Sequence, residues 1–319
     1  MLKKIFTLKT KDKTIIKVVR FGKGKPNILL ISGAHGDEKT GPQVLEQLIN
    51  EISSQKIHGT VDIIKVANPQ AYQANQRLHP NDHKDLNRSF PSSGNNAPTD
   101  NLACVLGEFA ISHDLVADLH TFPNQISPLI GVLLSEGNKE KQKESNELLK
   151  ITQPDLIWFL DTQKTEPQKG GSICSLALKN NIMAFGLELP PDDLVSQDQV
   201  KRVIRGLKAV LAKLNIIDYQ PSIKVACEIP IYGRQVFKSV ADGQFTPQKS
   251  IMTKVDEGEA IGKIANQQTG QIKKIISPID GVLLTVSKAR IVKKGEKLFV
   301  LGKIFRPFLL DTLNKTLID

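Results

Sequence analysis

The sequence predicts an α/β protein in which a mixed sheet flanked by helices is followed by an all-β domain. Strand-like and helix-like segments alternate from residue 14 to residue 217, which is typical of a sheet covered by helices on both faces. After Tyr219 the segments become short and are separated by turn pairs such as Asp242-Gly243 and Asp280-Gly281. No long helix fits that later stretch, which is typical of an all-β fold.

The elements of the first part follow from their hydrophobic periodicity. Residues 14–22 are β-branched and alternating, and residues 27–33 are an apolar run, so both are predicted strands. Residues 41–56 carry apolar side chains at helical spacing, with Pro42 in the first turn, and this pattern predicts a helix. The other predicted strands are residues 60–69, 115–120, 130–135 and 181–190, and the other predicted helices are residues 103–114, 138–152 and 192–217.

The composition is that of a soluble globular protein. The 319 residues are 40% hydrophobic and 24% charged, which argues against long disordered segments. The net charge is +10, but the lysines are scattered and no basic run is interleaved with aromatic residues. We therefore predict no nucleic-acid partner and interpret the charge as solubility together with a pocket for small anions.

The cysteines and the lengths of the apolar runs indicate the cellular compartment of the protein. Cys104, Cys174 and Cys227 are far apart and odd in number, which predicts buried thiols in a reducing compartment rather than a disulfide framework. The N-terminus lacks the apolar segment of a signal peptide, and no run approaches the roughly 18 apolar residues of a membrane span. The expectation is a cytoplasmic protein with no membrane partner.

Two predicted strands end in side chains that can hold a metal ion. His35 and Glu38 follow the strand at 27–33, and His120 ends the strand at 115–120. Two histidines and one carboxylate are the ligands of some catalytic zinc hydrolases, in which one position stays open for water. Strand ends of this kind can meet in one crevice of an α/β sheet. The alternatives are ordinary core or surface histidines, and a Glu38 that stabilises a helix first turn.

Four further residues are candidates for catalysis or substrate binding. Arg77 and the Asn87-Arg88 pair lie in a polar stretch, and guanidinium groups bind carboxylates and developing oxyanions. Glu188 is the one carboxylate near the end of an apolar strand, and near a metal it can take a proton from water. The alternative interpretations are surface arginines in a loop and a solvent-exposed glutamate at a strand end.

Four motifs occur in a fixed order along the chain. They are GAHGDE at 33–38, the stretch from Asn68 to Pro91 that ends in DLNRSFP, DLHT at 118–121 and GLELP at 186–190. Together they resemble the succinylglutamate desuccinylase/aspartoacylase family, a branch of the zinc-carboxypeptidase-like metallohydrolases. The resemblance implies a zinc-carboxypeptidase-like fold for the first domain and one Zn²⁺ per chain.

The resemblance also implies a role for each matching residue. His35, Glu38 and His120 match the zinc ligands of the family. Glu188 matches the general base that later acts as the acid, and Arg77 matches the residue that polarises the scissile carbonyl.

The substrate implied by the resemblance is small and carries a carboxylate. Asn87 and Arg88 match the pair that binds this carboxylate, and the implied reaction is hydrolysis of the amide bond of an N-acyl amino acid or a similar molecule. Two alternatives stay open: a metallocarboxypeptidase acting on peptides or cell-wall fragments, and a non-catalytic binding or carrier module. A homo-oligomer is also left open.

The remaining polar residues of the motifs are given lesser roles. We expect Asp37 and Asp118 to support the turn or the ligands from outside the metal shell. His79 and His83 are expected to be solvent-exposed loop residues, and no partner is evident in the sequence for His113.

The domain boundaries are predicted from the change near Tyr219. We expect a catalytic domain over residues 1–218, a β-sandwich domain over 219–305 and a tail over 306–319. The segments VDEGEAIGKI, SPIDGVL and VKKGEKL resemble lipoyl and biotinyl domains, but the hairpin QQTGQ has no lysine at its tip. We therefore predict no attached carrier group and expect the domain to cap the active site, narrow access to it or mediate oligomer contacts.

Overall fold

The computed structural model describes residues 3–160, 171–221 and 230–304, so the predicted tail and Cys227 lie outside the described residues. The α-helices are α1 (Thr40–Ile52), α2 (Pro69–Ala74), α3 (Pro98–Ala110), α4 (Lys139–Ile151), α5 (Ile173–Lys179) and α6 (Gln197–Lys213), and a 3₁₀ helix covers Leu86–Arg88. The strands before residue 222 are β1 (Lys3–Lys9), β2 (Ile15–Lys23), β3 (Asn27–Ser32), β4 (Gly59–Ile64), β5 (Leu115–Thr121), β6 (Gln125–Ile126), β7 (Ile130–Leu134), β8 (Leu156–Leu160) and β9 (Met183–Leu189). The later strands are β10 (Pro230–Lys238), β11 (Gly243–Pro247), β12 (Lys254–Val255), β13 (Ala260–Ala265), β14 (Ile272–Ile276), β15 (Gly281–Ser287), β16 (Ile291–Val292) and β17 (Lys297–Ile304).

A thirteen-stranded mixed sheet runs through the whole described chain. Its order is β1-β2-β4-β3-β5-β9-β7-β8-β10-β17-β15-β12, with β6 paired to β15. Strands β4, β3, β5 and β9 are mutually parallel, whereas β7 is antiparallel to β9. Strand β8 pairs in parallel with β10, so the sheet continues without a break from the α/β part into the C-terminal part.

Helices cover both faces of this sheet, as the alternation of strands and helices predicts. Side chains of α1, α4 and α6 pack in one apolar cluster, which includes Leu48, Leu149 and Leu207. Side chains of α3 and α5 pack in a second cluster, which includes Leu106 and Leu178. The prediction of an α/β fold is confirmed.

The described C-terminal part is all-β. A four-stranded sheet in the order β14-β13-β11-β16 lies over the end of the large sheet. Phe245 and Ile264 of the small sheet share an apolar core with Leu283, Phe299 and Leu301 of the large one. The prediction of a C-terminal all-β region is confirmed. In the described ranges, no helix is long and apolar enough to cross a membrane.

Helix α3 begins and ends earlier in the chain than predicted. It begins at Pro98 and ends at Ala110, whereas the apolar pattern predicts a helix over 103–114. The start is set by Pro98, which suits a first helical turn, and by Asp82, which accepts a hydrogen bond from the backbone N–H of Thr99 at 2.9 Å. The Asp82 contact comes from a distant loop, and no local periodicity reveals it.

Candidate metal centre and active site

Three neighbouring parallel strands, β3, β5 and β9, bring the candidate residues together at the carboxyl ends of the strands. The loop holding His35 and Glu38 follows β3, which pairs with β5. His120 on β5 lies directly opposite Glu188 on β9. Paired residues of neighbouring parallel strands point to the same face, so both side chains project toward the loop that follows β3.

The loop after β3 requires glycine where it approaches α2. The backbone N–H of Gly36 donates to the carbonyl of Gln76 at 2.9 Å. A Cβ on Gly36 would lie 1.8 Å from the carbonyl oxygen of Ala71, a distance that only glycine avoids. The close approach fixes the position of His35 relative to the segment that carries Arg77.

Both ends of helix α2 are fixed by local features of the sequence, and the segment that follows this helix carries Arg77. The side chain of Asn68 accepts a hydrogen bond from the N–H of Ala71 at 3.2 Å, so it is the N-cap. Pro69 occupies the first turn, and Asn75 ends the helix in the left-handed region at φ 51°. The chain then turns back beside the loop after β3, so that Arg77 lies next to His35 and Glu38.

His35, Glu38 and His120 form one buried cluster. Glu38 Oε1 lies 2.6 Å from His35 Nδ1, and Glu38 Oε2 lies 3.0 Å from His120 Nδ1. One ligand atom from each residue lies within 4.8 Å of the others. Two imidazole nitrogens and a carboxylate at this spacing could bind a metal ion.

Two further carboxylates hold the outer nitrogens of the histidines. Asp85 Oδ1 lies 2.9 Å from His35 Nε2, and Asp118 Oδ2 lies 2.8 Å from His120 Nε2. With the Nε2 hydrogens donated outward, the Nδ1 lone pairs face Glu38, which is the arrangement that metal-binding histidines require. Asp118 matches its predicted supporting position, whereas Asp85 has no predicted role although it belongs to the DLNR motif.

The carboxylates of the site differ strongly in their proton affinity. Burial disfavours the charge of Glu38, but His35 and His120 outweigh it and hold the pKa of Glu38 well below its ordinary value. Burial, aided by the charge of Glu38, raises the pKa of Glu188 despite the opposing charge of His120. Glu188 therefore takes up a proton more readily than Glu38 does.

Arg77 borders the cluster and remains open to solvent. Its Nη1 lies 3.4 Å from Glu38 Oε1, and its Nη2 donates to Asp85 Oδ2 at 3.0 Å. The Arg77 side chain is 43% exposed. A guanidinium group in this position can reach both the ligand cluster and a bound molecule.

Asn87 and Arg88 lie in the short 3₁₀ helix next to the cluster. Asp85 Oδ1 accepts the N–H of Asn87 at 2.9 Å, and Asn87 Nδ2 lies 3.4 Å from His120 Nε2. The Arg88 guanidinium donates to the Asn87 carbonyl at 2.8 Å. Among the described residues, the buried Oδ1 of Asn87 has no hydrogen-bond partner, so this atom is available to a ligand.

The remaining histidines lie apart from the cluster. His79 is fully buried, so the expectation of a solvent-exposed loop residue is wrong for it; its Nδ1 accepts a hydrogen bond from the backbone N–H of Asn81 at 3.2 Å. His83 is exposed, as expected. His113 is buried against Asp62, with its Nε2 3.0 Å from Asp62 Oδ2, a partner far away in sequence.

The substitution Gly36→Ala is expected to destabilise the protein and to weaken metal binding. The added Cβ overlaps the Ala71 carbonyl, so the backbone must move, and overpacking of this kind typically costs about 1–3 kcal/mol. Chemical denaturation and metal titration would measure both effects. Gly233→Ala is the matched control, since its Cβ would meet its nearest neighbour at 3.8 Å; equal behaviour of the two variants would refute the prediction.

The substitution Asp118→Asn is expected to weaken metal binding by about 10–100-fold, the usual effect of removing a carboxylate that orients a ligand histidine. The amide keeps the shape but no longer presents a charged acceptor to His120 Nε2. Competition titration with a chelator would measure the dissociation constant. A metal affinity equal to that of the wild type would show that Asp118 does not orient His120.

Solved structures of similar fold extend over nearly the whole chain. A succinylglutamate desuccinylase/aspartoacylase from Rhodobacter sphaeroides is 19% identical, with a TM-score of 0.79 and 94% of each chain covered. The product-bound ectoine utilization protein EutE (DoeB) from Ruegeria pomeroyi is 20% identical, with a TM-score of 0.81 and 94% of each chain covered. At these identities the likeness demonstrates the fold.

Sequence comparison identifies the family. An N-alpha-acetyl-L-2,4-diaminobutyric acid deacetylase from Halomonas elongata is 35% identical over 107 residues, which cover 33% of this chain and 31% of that relative. The family model described as the succinylglutamate desuccinylase/aspartoacylase catalytic domain matches residues 24–214. The resemblance carried by the four motifs is therefore confirmed, and the chain belongs to the succinylglutamate desuccinylase/aspartoacylase family.

Proposed function

We propose that this protein is a zinc-dependent amidohydrolase that removes the acyl group from an N-acyl amino acid or a similar small carboxylate-bearing substrate. The observation that carries the proposal is the buried His35–Glu38–His120 cluster with Glu188 in register beside His120. The activity printed for the Halomonas relative, a deacetylase, supports amide hydrolysis over the alternative of a non-catalytic module.

The cluster fits a single divalent ion such as zinc. Its three donors are two imidazole nitrogens and one carboxylate oxygen, and both histidines are oriented by the outer carboxylates Asp85 and Asp118. When bound, zinc supplies Lewis-acid chemistry, which lowers the pKa of a water molecule and polarises a carbonyl group.

Glu188 moves the proton in this proposal. It accepts a proton from the water whose oxygen attacks the acyl carbon. It then gives this proton to the amine nitrogen as the carbon–nitrogen bond breaks. Its raised pKa, which burial causes, supports this role because a carboxylate that binds a proton more readily is a better base.

Arg77, Asn87 and Arg88 bind the substrate in this proposal. The exposed guanidinium of Arg77 donates to the oxyanion that develops on the scissile carbonyl. The unpartnered Asn87 Oδ1 and the Arg88 guanidinium orient the substrate through its polar groups, and Arg88 pairs with its carboxylate. Guanidinium groups in these positions attract an anionic substrate group.

We further propose that residues 1–218 act as the catalytic domain and residues 219–305 as a lipoyl/biotinyl-like domain without a carrier group. The packing of the small sheet on β15 and β17 supports a two-layered β unit. Cys104 and Cys174 are free thiols, which supports a reducing, cytoplasmic location.

The proposal is tested with a panel of N-acetyl and N-succinyl amino acids, assayed for release of free amine by the zinc-loaded protein. We expect amine release from one or more of these compounds and its loss after chelation. Peptides with free C-termini form the second arm. Hydrolysis of peptides alone would replace the deacylase by a carboxypeptidase, and inactivity toward every compound would overturn the proposal.

A further inference from the structure

The carboxylate of Asp85 holds three groups of the candidate site at once. Its Oδ1 lies 2.9 Å from His35 Nε2 and accepts the backbone N–H of Asn87 at 2.9 Å, and its Oδ2 accepts a hydrogen bond from Arg77 Nη2 at 3.0 Å. A ligand histidine keeps its orientation only while the acceptor on its outer nitrogen stays in place. The position of the Asp85 backbone therefore matters to the proposed metal ligand and to the guanidinium group beside it.

The turn formed by residues 79–84 sets the position of Asp85, which follows it directly. Both backbone polar groups of Lys84 are hydrogen-bonded within this turn. The carbonyl oxygen of Lys84 accepts the N–H of His79 at 3.1 Å, and the N–H of Lys84 donates to Asp82 Oδ1 at 3.2 Å. The side chain of His79 is fully buried, so the beginning of the turn is packed into the protein interior.

Asp82 attaches this turn to the first turn of α3. Its Oδ2 accepts the backbone N–H of Thr99 at 2.9 Å, and its Oδ1 accepts the hydroxyl of Thr99 at 2.7 Å. Thr99 is fully buried, and the Asp82 side chain is only 13% exposed, so water competes weakly for these hydrogen bonds. The positive end of the helix dipole also favours a carboxylate at this place. One side chain therefore joins the turn to the start of a 13-residue helix.

Helix α3 gives this turn a firmly packed support. Leu106 of α3 is fully buried in the same apolar cluster as Leu86 of the 3₁₀ helix. A second link between the turn and the helix is the ion pair of Lys84 Nζ with Asp100 Oδ2 at 2.8 Å, but the Lys84 side chain is 47% exposed. Exposed ion pairs contribute little. The buried Asp82 carboxylate is therefore the stronger polar link.

We propose that Asp82 is a positioning residue of the active site, which fixes the Asp85 carboxylate by joining the turn before it to α3. Through Asp85 it keeps His35 and Arg77 oriented. The inference rests on the proposed metal-dependent function and adds to it a residue that acts on the ligand cluster from outside. Loss of the Asp82 carboxylate should loosen Asp85, leave His35 less well oriented and weaken zinc binding.

A double-mutant cycle on zinc affinity tests this coupling, with dissociation constants measured by competition with a chelator. Asp82→Ala should weaken zinc binding about tenfold, the lower end of the range for residues that orient a ligand from outside the metal shell. Asp85→Asn should weaken it by at least as much. Because Asp82 acts through Asp85, adding Asp82→Ala to the Asp85→Asn variant should change the affinity by less than about twofold. A further loss as large as that of Asp82→Ala alone would overturn the inference.

Glu108→Gly is the control that separates positioning from a loss of helix stability. Glu108 is exposed in the body of α3, and glycine at such a position destabilises a helix. This control should lower the melting temperature, as Asp82→Ala does, but keep the zinc affinity of the wild type. Wild-type zinc affinity in a destabilised Asp82→Ala protein would overturn the inference, as would equal losses of affinity in Asp82→Ala and Glu108→Gly.

A crystal structure of the variant decides the inference separately from the metal-centre proposal. If the wild type binds no zinc, the metal-centre proposal fails, and the contact between Asp85 Oδ1 and His35 Nε2 in Asp82→Ala becomes the readout. Its separation beyond hydrogen-bond distance would support the inference, and an unchanged contact of 2.9 Å would overturn it. Thr99→Val, which removes one hydrogen bond to Asp82, replaces Asp82→Ala in both measurements if that variant does not fold, with a smaller effect in the same direction.

Discussion

The substitution Glu188→Gln is expected to lower kcat by about 10²–10⁴-fold, the range for loss of a general base, while zinc content stays at the wild-type level. Glutamine keeps the shape of the side chain but cannot accept a proton. Glu188 lies opposite His120 in the sheet and is not one of the three residues of the metal-binding cluster. The chemistry should therefore fail without loss of the metal.

The control for this variant is Glu140→Gln, which makes the same chemical change on an exposed residue of α4. It should retain wild-type turnover and thermal stability. Near-normal turnover of Glu188→Gln would assign proton transfer to another group. Loss of zinc from Glu188→Gln would instead make this residue part of the metal site.

The substitution Glu38→Gln is expected to abolish both stable zinc binding and activity. The Glu38 carboxylate contacts both ligand histidines and accepts the backbone N–H of Thr121 at 2.9 Å. An amide at this buried position removes the only negative charge of the three-residue cluster and presents N–H groups to one histidine. Zinc measured after dialysis should fall from roughly one per chain to near zero.

Glu46→Gln provides a matched control on α1, because the Glu46 side chain is 50% exposed and pairs with Lys65. Its zinc content and turnover should equal those of the wild type. Full zinc occupancy in the Glu38→Gln protein would mean that the ion is held without this carboxylate, and the proposed ligand set would then be wrong.

The ends of the strands explain why much of the site is predictable from sequence. The apolar runs before His35 and His120 are long enough to be recognised as strands, and parallel strands bring their carboxyl ends to one edge. Glu188 is recognisable in the same way, since it ends an apolar strand. The local pattern thus indicates which side chains lie at the carboxyl ends of these strands.

Contacts between distant segments were not predictable from local pattern. The Asp85 contact with His35 depends on how the loop between α2 and α3 folds back over the site. The expectation for His79 fails because tertiary packing buries this one side chain of an otherwise polar loop. The segment after His120 meets the C-terminal strands through the pairing of β6 with β15 and through the packing of Phe122 against Val300, and both contacts join residues far apart in sequence.

The continuity of the large sheet could not be predicted from the hydrophobic periodicity either. The change in sequence composition near Tyr219 predicts a domain boundary, but it does not predict that β10 pairs with β8 and extends the large sheet past this point. Strand pairing depends on which edges remain open after the first part folds, and this is a property of the assembled sheet. The consequence for function is that residues from both sides of Tyr219 can face one cleft.

Anomalous X-ray diffraction at the zinc absorption edge, from crystals of the zinc-loaded protein, tests the metal centre most directly. We predict one strong peak among the Nδ1 atoms of His35 and His120 and the carboxylate of Glu38, with Asp85 and Asp118 still on the Nε2 atoms. A peak bound elsewhere in the chain, or no peak at full zinc loading, would contradict the proposed metal centre and the hydrolytic function built on it.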